Sequence, residues 1–178
     1  MALANIITYE DFTGILFLDI AGTSTIALAK QAELNTIITE YQQKIFRELF
    51  GEALYQYLTD NEDEDVYTVL RDGEIVTIDG YKYEWVGLKK MLASFVYFYF
   101  KREKQSFDSD TGEKKSETEN SVSSLGNLRV KMIRAWNKGV DYYKDAIDYM
   151  DYKNGLSTDY YPELLTDCTH YGQYLSLE

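Results

Sequence analysis

The stretch VGLKKMLASFVYFYFKREK, residues 86–104, decides the fold. From Met91 to Phe100 it is apolar around nearly the whole circumference of a helix. A helix with no polar face is stable only when covered on every side, so this segment is expected to be the central helix of a helical bundle. The apolar run is too short to cross a bilayer, which needs roughly 20 residues. Lys101, Arg102 and Lys104 gather at its end, where cations meet the negative pole of the helix dipole. That structural role is preferred over a phosphate site.

Upstream, GEIVTIDGYKYEW alternates apolar and polar residues on either side of Asp79-Gly80. A tight turn between antiparallel strands needs positive φ, which Asp and especially Gly tolerate, so residues 74–85 are expected to form a small β-hairpin. Two strands alone are marginally stable, and the hairpin must lie on helices or on another subunit. A short helical turn around Val66 to Leu70 precedes it. From about Thr25 the spacing of Leu28, Ala32, Ile38, Tyr41, Ile45, Leu49 and Ala53 predicts a long first helix. Gly51 should kink or restart it, and the acidic run from Asp60 to Asp65 should end it. Residues 6–20 lack a sustained helical period and are expected to pack on the core, or on a neighbour, as an extended or mixed segment.

Downstream comes a run of about sixteen residues, Gln105 to Asn120 (QSFDSDTGEKKSETEN), with Phe107 as its one large apolar side chain. A compact domain seldom keeps an uncovered loop of this length unless the loop reaches for something. It reads as a polar arm. The last helix, about Val122 to Tyr152, carries Leu125, Leu128, Met132, Trp136, Val140, Tyr143, Ile147 and Met150 at spacings of three or four. It is longer than one small bundle needs, so its far end is expected to project or to pack on another copy. Asn154-Gly155 should break it, and the tail from Lys153 to Glu178 should dock as a strap or a short helix. The expected fold is thus mainly α: three to four helices, an inserted hairpin, a polar loop over 105–120 and an extended C-terminal tail. Residues 1–152 form the helical domain and 153–178 the docking tail.

The formal charge is −12, which argues against wrapping nucleic acid, because affinity for phosphate comes mainly from Lys and Arg. The charge is uneven: twelve acids and three bases in residues 1–70, ten and thirteen in 71–140, eight and two in 141–178. Acidic ends flank a mildly basic middle, a pattern that can steer copies of one chain together. Seventeen tyrosines suit half-buried surfaces between chains as well as cores. A single cysteine, Cys168, makes no internal disulfide, which points to a reducing compartment. The start MALANIITYEDF lacks the basic and apolar regions of a signal peptide, so a soluble chain made in the cytosol is expected.

Chemistry-bearing groups are sparse. Cys168 and His170 fall short of the four ligands zinc usually takes, and of a thiol activated by a base that a third group orients. Asp108 to Glu113 has the alternating carboxylates of a calcium loop, but its glycine comes fifth rather than sixth. No phosphate-binding loop, dinucleotide fingerprint or metalloprotease motif is present in the sequence. No catalytic residue, metal site or cofactor is expected.

Several pieces together resemble a known family. The helix ending in Glu48-Leu49-Phe50-Gly51-Glu52-Ala53-Leu54-Tyr55, the hairpin through Gly80-Tyr81, the re-entry Trp85-Val86-Gly87-Leu88, and the polar arm before a final long helix resemble head-tail connector (adaptor) proteins. These occupy the neck of tailed bacteriophages, here of the kind found in Bacteroides and crAss-like phages. The resemblance covers roughly residues 30 to 150. It implies a virion protein, made in the bacterial host cytoplasm, that assembles as a homo-oligomeric, typically dodecameric ring beneath the portal protein. The ring extends the DNA channel without binding DNA specifically, and other neck or tail proteins attach to it. The family's loop between helices and its C-terminal segment often carry partner contacts. Here that implies Phe107, Asp110, Lys114, Lys115, Glu117 and Asn120 in the arm, and Tyr160, Tyr161, Leu164, Leu165, Tyr171 and Tyr174 in the tail. A different reading of the charge is an acidic DNA-mimic that inhibits a host nucleic-acid-binding protein.

Overall fold

The computed structural model describes residues 4–61, 65–78, 80–104, 106–109, 112–115, 121–156 and 173–176. Its element order is α1 (Thr25–Asp60), α2 (Asp65–Asp72), β1 (Glu74–Ile78), β2 (Tyr81–Trp85), α3 (Leu88–Glu103), β3 (Ser106–Ser109), β4 (Gly112–Lys115) and α4 (Ser121–Leu156). The protein is mainly helical, as its periodicity predicts.

Helix α3 is the centre. Leu88, every residue from Met91 to Tyr97, Tyr99 and Phe100 are buried, because α1, α2, α4 and the N-terminal segment all pack on it. Buried Ser94 donates its hydroxyl to the Lys90 carbonyl of its own helix, which removes the penalty of burying it. Gly139 lets α4 come close: a Cβ there would lie 2.8 Å from the Phe95 ring. Around this crossing, Trp136 meets Phe95 and Phe98 in edge-to-face contacts at 5.1 and 4.8 Å between ring centres. Tyr41 of α1 stacks on Tyr99 at 4.1 Å.

Helix α1 breaks where glycine predicts. Gly51 has φ 82° and ψ 170°, a conformation that only glycine adopts without strain. Just before the break, the Tyr143 hydroxyl of α4 donates to the Leu49 carbonyl, supplying a partner where the helical ladder is interrupted. The buried face of α1 differs from the expected stripe. Ile38, Ile45 and Leu49 are buried, but Leu28, Ala32 and Ala53 are exposed and Leu34, Phe46, Phe50 and Leu54 take the inner positions. The restart at Gly51 shifts the phase of the second segment, and the first turns extend past the body that α3 covers.

The N-terminal segment is irregular with two 3-10 turns, Tyr9–Asp11 and Gly14–Leu16. It packs on the core through Ile6, Ile7, Phe12, Leu16, Leu18 and Ile20. Buried Gln42 of α1 pins its start by accepting from the Ile6 N–H at 2.9 Å and donating to the Ala4 carbonyl at 2.8 Å.

Three expectations need correction. The polar arm is more than a loop, since its described parts, β3 and β4, pair as a second antiparallel hairpin with Phe107 opposite Lys114. Helix α4 runs on through Asn154-Gly155 to Leu156: a glycine near a helix end weakens it by only about 1 kcal/mol, and flanking contacts outweigh that. The far part of α4 does not project. Tyr149 and Met150 are buried, and Lys153 pairs with Glu74 at the root of the β1–β2 hairpin.

Candidate assembly surfaces

The first surface is the β1–β2 hairpin. Five residue pairs align from Glu74 with Trp85 to Ile78 with Tyr81, and Gly80 at φ 83° makes the turn. Side chains alternate across the ribbon, which puts Glu74, Val76, Tyr81, Tyr83 and Trp85 on one face. At the root that face is locked to the body. Trp85 is buried, stacks on Tyr149 at 5.1 Å and donates its indole N–H to the Leu70 carbonyl. Glu74 accepts from the Tyr149 hydroxyl at 2.5 Å and pairs with Lys153. Burial pushes its carboxyl up, but the Lys153 ammonium and the Tyr149 hydroxyl outweigh that and hold it below the usual carboxylate range. Farther out, Tyr83 reaches the Asp145 carbonyl at 3.4 Å. At the tip, Tyr81 is 80% exposed although it belongs to the same inner face. The hairpin overhangs the body, and its last aromatic ring has nothing beneath it.

A shallow cleft of about 350 Å³ lies at the hairpin root, with Asp72, Glu74, Glu84 and Lys90 on its walls. Two of these carboxylates already hold cations: Asp72 binds Arg71 and Lys89, and Glu74 binds Lys153. The hydrogen bond from Arg71 is the main reason that Asp72 sits below its ordinary value. Such pairs brace the hairpin. Among the described residues, no three His, Cys, Asp or Glu side chains gather to hold a metal ion.

The second surface lies on the N-terminal side. Ile15, Phe17 (62% exposed), Ile26 (71%) and Leu28 all face solvent within fourteen residues of chain. Gln31 ties this region together by donating to the carbonyls of Ile20 and Gly22. Large apolar groups are common singly on surfaces; four exposed ones in one short stretch make it a candidate contact region.

The third surface is where the C-terminal tail meets α4. The Asn137 side chain accepts from the Leu175 N–H at 2.8 Å and donates to the Leu175 carbonyl at 3.0 Å, so it pairs with the backbone as a neighbouring strand would. One residue earlier on α4, the Trp136 indole N–H donates to the Gln173 carbonyl at 2.8 Å. Between these two points Tyr174 donates its hydroxyl to Asp141 at 2.9 Å and accepts from Lys144 at 3.0 Å. The Lys144 ammonium also lies 4.1 Å from the centre of the Tyr174 ring.

Of the contact residues expected from sequence, Tyr174 is on this third surface. Phe107, Lys114 and Lys115 fall in the second hairpin, with Ser106 opposite Lys115. Asp110, Glu117, Asn120, Tyr160, Tyr161, Leu164, Leu165 and Tyr171 lie outside the described residues, as do Cys168 and His170. Sequence reasoning missed Asn137, Asp141 and Lys144, which are polar positions flanking the apolar stripe of α4 and look like any solvated face. It also missed Phe17 and Tyr81. Phe17 lies in a segment without a sustained period and Tyr81 in an alternating strand, and neither pattern tells which large side chains stay uncovered.

Lys104 pairs with Glu33. Lys101 is half-buried over the Tyr97 and Phe100 rings. Burial, and then Lys131 and Lys30, pull its ammonium below its ordinary value. No helix among the described residues is long and apolar enough to cross a membrane. Comparison with protein-family models, curated proteins and solved structures finds no match for this chain.

Proposed function

We propose that this protein is a structural subunit of the neck of a tailed bacteriophage, a head-tail connector that forms a homo-oligomeric ring between portal and tail. One observation carries the reading. A subunit with a closed core leaves apolar and aromatic groups uncovered at two separate places, Ile15 to Leu28 and the tip of the β1–β2 hairpin. Two different sticky patches on one chain favour a heterologous contact, in which each copy offers one patch to the next. When the rotation closes, that contact makes a ring. The charge of −12 fits a channel through which DNA slides without adhering. The resemblance in the order of helix, glycine break, hairpin, aromatic helix, arm and long helix adds the portal as the partner.

Mass photometry and negative-stain microscopy of the protein, alone and with its portal, test the proposal. Rings, or ring formation on the portal only, are the expected outcome. Tyr81→Ser with Phe17→Ser should abolish them while shifting the stability of the subunit by less than about 1 kcal/mol, because both side chains are exposed. A strictly monomeric protein with no affinity for portal or neck components would overturn it. A small oligomer that competes with DNA in a salt-dependent way would instead favour the DNA-mimic.

A further inference from the structure

The two ends of the chain are held by the same device in very different settings. At the N-terminus, Gln42 reads the backbone of Ala4 and Ile6 from inside the core, and the adjoining Ile6, Ile7 and Phe12 are buried with it. At the C-terminus, Asn137 reads the backbone of Leu175 in the open. Gln173, Tyr174, Leu175 and Ser176 are all exposed, with Tyr174 52% and Leu175 37% uncovered. The first strap is locked by apolar burial. The second is held almost wholly by polar contacts that water can replace.

We propose that the α4 ridge formed by Trp136, Asn137, Asp141 and Lys144 is a binding site for an extended peptide of the type Gln-Tyr-Leu, and that in the assembled protein it takes this segment from a second copy. Asn137 and Trp136 capture main-chain groups and accept any extended strand. Asp141 and Lys144 select tyrosine, since together they need a group that both donates and accepts beside a ring that a cation can cover. A neighbouring copy carries the identical peptide, so the contacts that form within one chain form equally well between two. Reach permits the exchange. Residues 157–172 separate the end of α4 from the peptide, and sixteen residues span up to about 55 Å when extended, similar to the roughly 54 Å length of a 36-residue helix. Once the peptide is seated, the outward sides of Tyr174 and Leu175 are offered to the subunit that donated the tail. Such an exchange closes a heterologous contact at little entropic cost.

The exchange between copies rests on the self-assembly proposed above, whereas the capture of an extended peptide does not. Two full-length chains test it, both carrying Cys168→Ser, one with Lys138→Cys and the other with Ser176→Cys, exposed positions next to the Asn137–Leu175 contact that leave Asp141, Lys144 and Tyr174 in place. Co-expressed with different tags and treated with a short bismaleimide, they should give a mixed covalent dimer. Adding Asn137→Ala to the acceptor chain should lower its yield roughly tenfold, the effect of losing two hydrogen bonds. A single chain carrying both cysteines monitors the seat itself. If that chain crosslinks only internally and no mixed dimer forms although rings are present, exchange is overturned and the ring reading stands. If no rings form and the crosslink is again internal only, both fail while peptide capture stands. If neither the mixed pair nor the double variant crosslinks, the peptide site itself is overturned.

Discussion

Gly73 and Gly87 pass each other at the root of the hairpin so closely that neither leaves room for a methyl group. A Cβ on Gly73 would lie 2.3 Å from the Trp85 carbonyl oxygen, and one on Gly87 would lie 2.4 Å from the Arg71 carbonyl oxygen. Both glycines also have positive φ, 96° and 85°. The chain leaves α2 and re-enters α3 through this one crossing, so the two residues set the direction of the hairpin between them.

Substituting either one by alanine combines left-handed strain of about 1 to 3 kcal/mol with a backbone clash. Gly73→Ala and Gly87→Ala are therefore each expected to destabilise the protein by more than roughly 2 kcal/mol in urea unfolding. Gly155→Ala is the control. A Cβ there meets nothing within 4 Å, and the change should be neutral or stabilise the helix by up to about 1 kcal/mol. Equal effects at the three positions would refute this account of the crossing.

The anchoring of the hairpin should depend on pH through Glu74. Its carboxyl titrates below the ordinary value of 4.5 because Lys153 and Tyr149 together outweigh the effect of burial. A folded-state value below the unfolded one means that the stabilisation is complete above about 4.5 and is lost as pH falls through the lower, folded value. At pH 7, Glu74→Gln should cost about 1 to 2 kcal/mol, and the gap between variant and wild type should narrow towards pH 3. A gap that stays constant over that range would show that the carboxylate charge is irrelevant here.

Gln42 should be the lock of the N-terminal segment. Replacing it by alanine leaves the buried Ile6 N–H without its partner, a loss of about 1 to 3 kcal/mol, and frees the exposed Ala4 carbonyl, which water can satisfy. Hydrogen exchange over residues 6–20 should accelerate more than in α3. Asn137→Ala should act differently, releasing residues 173–176 with a stability change below about 1 kcal/mol, since water replaces its bonds. Uniform acceleration across the whole chain in Gln42→Ala would indicate global destabilisation instead.

The parts of the fold that were legible in the sequence share one property: a local pattern with a single structural solution. Residues 91–100 are apolar around nearly the whole helix, and all but Phe98 are buried. Asp79-Gly80 between alternating strands marks the hairpin, and Gly51 is the break in α1. On α4, Met132, Trp136, Val140, Tyr143 and Met150 are all buried as their spacing predicts. The second hairpin in the polar arm was not legible, because SFDS and GEKK carry little apolar alternation.

What the sequence by itself determined is which segments are helices, where glycine bends the chain, and which helix lies at the centre, since propensity and periodicity act over a few neighbouring residues. What only the tertiary structure decided is which apolar groups stay uncovered and which polar groups meet. Leu28 and Tyr81 belong to apolar patterns yet stay exposed, while Asn137 and Leu175, thirty-eight residues apart, become partners because residues 173–176 lie against α4. Exposure and long-range pairing depend on the outline of the packed molecule, which no short window of sequence contains.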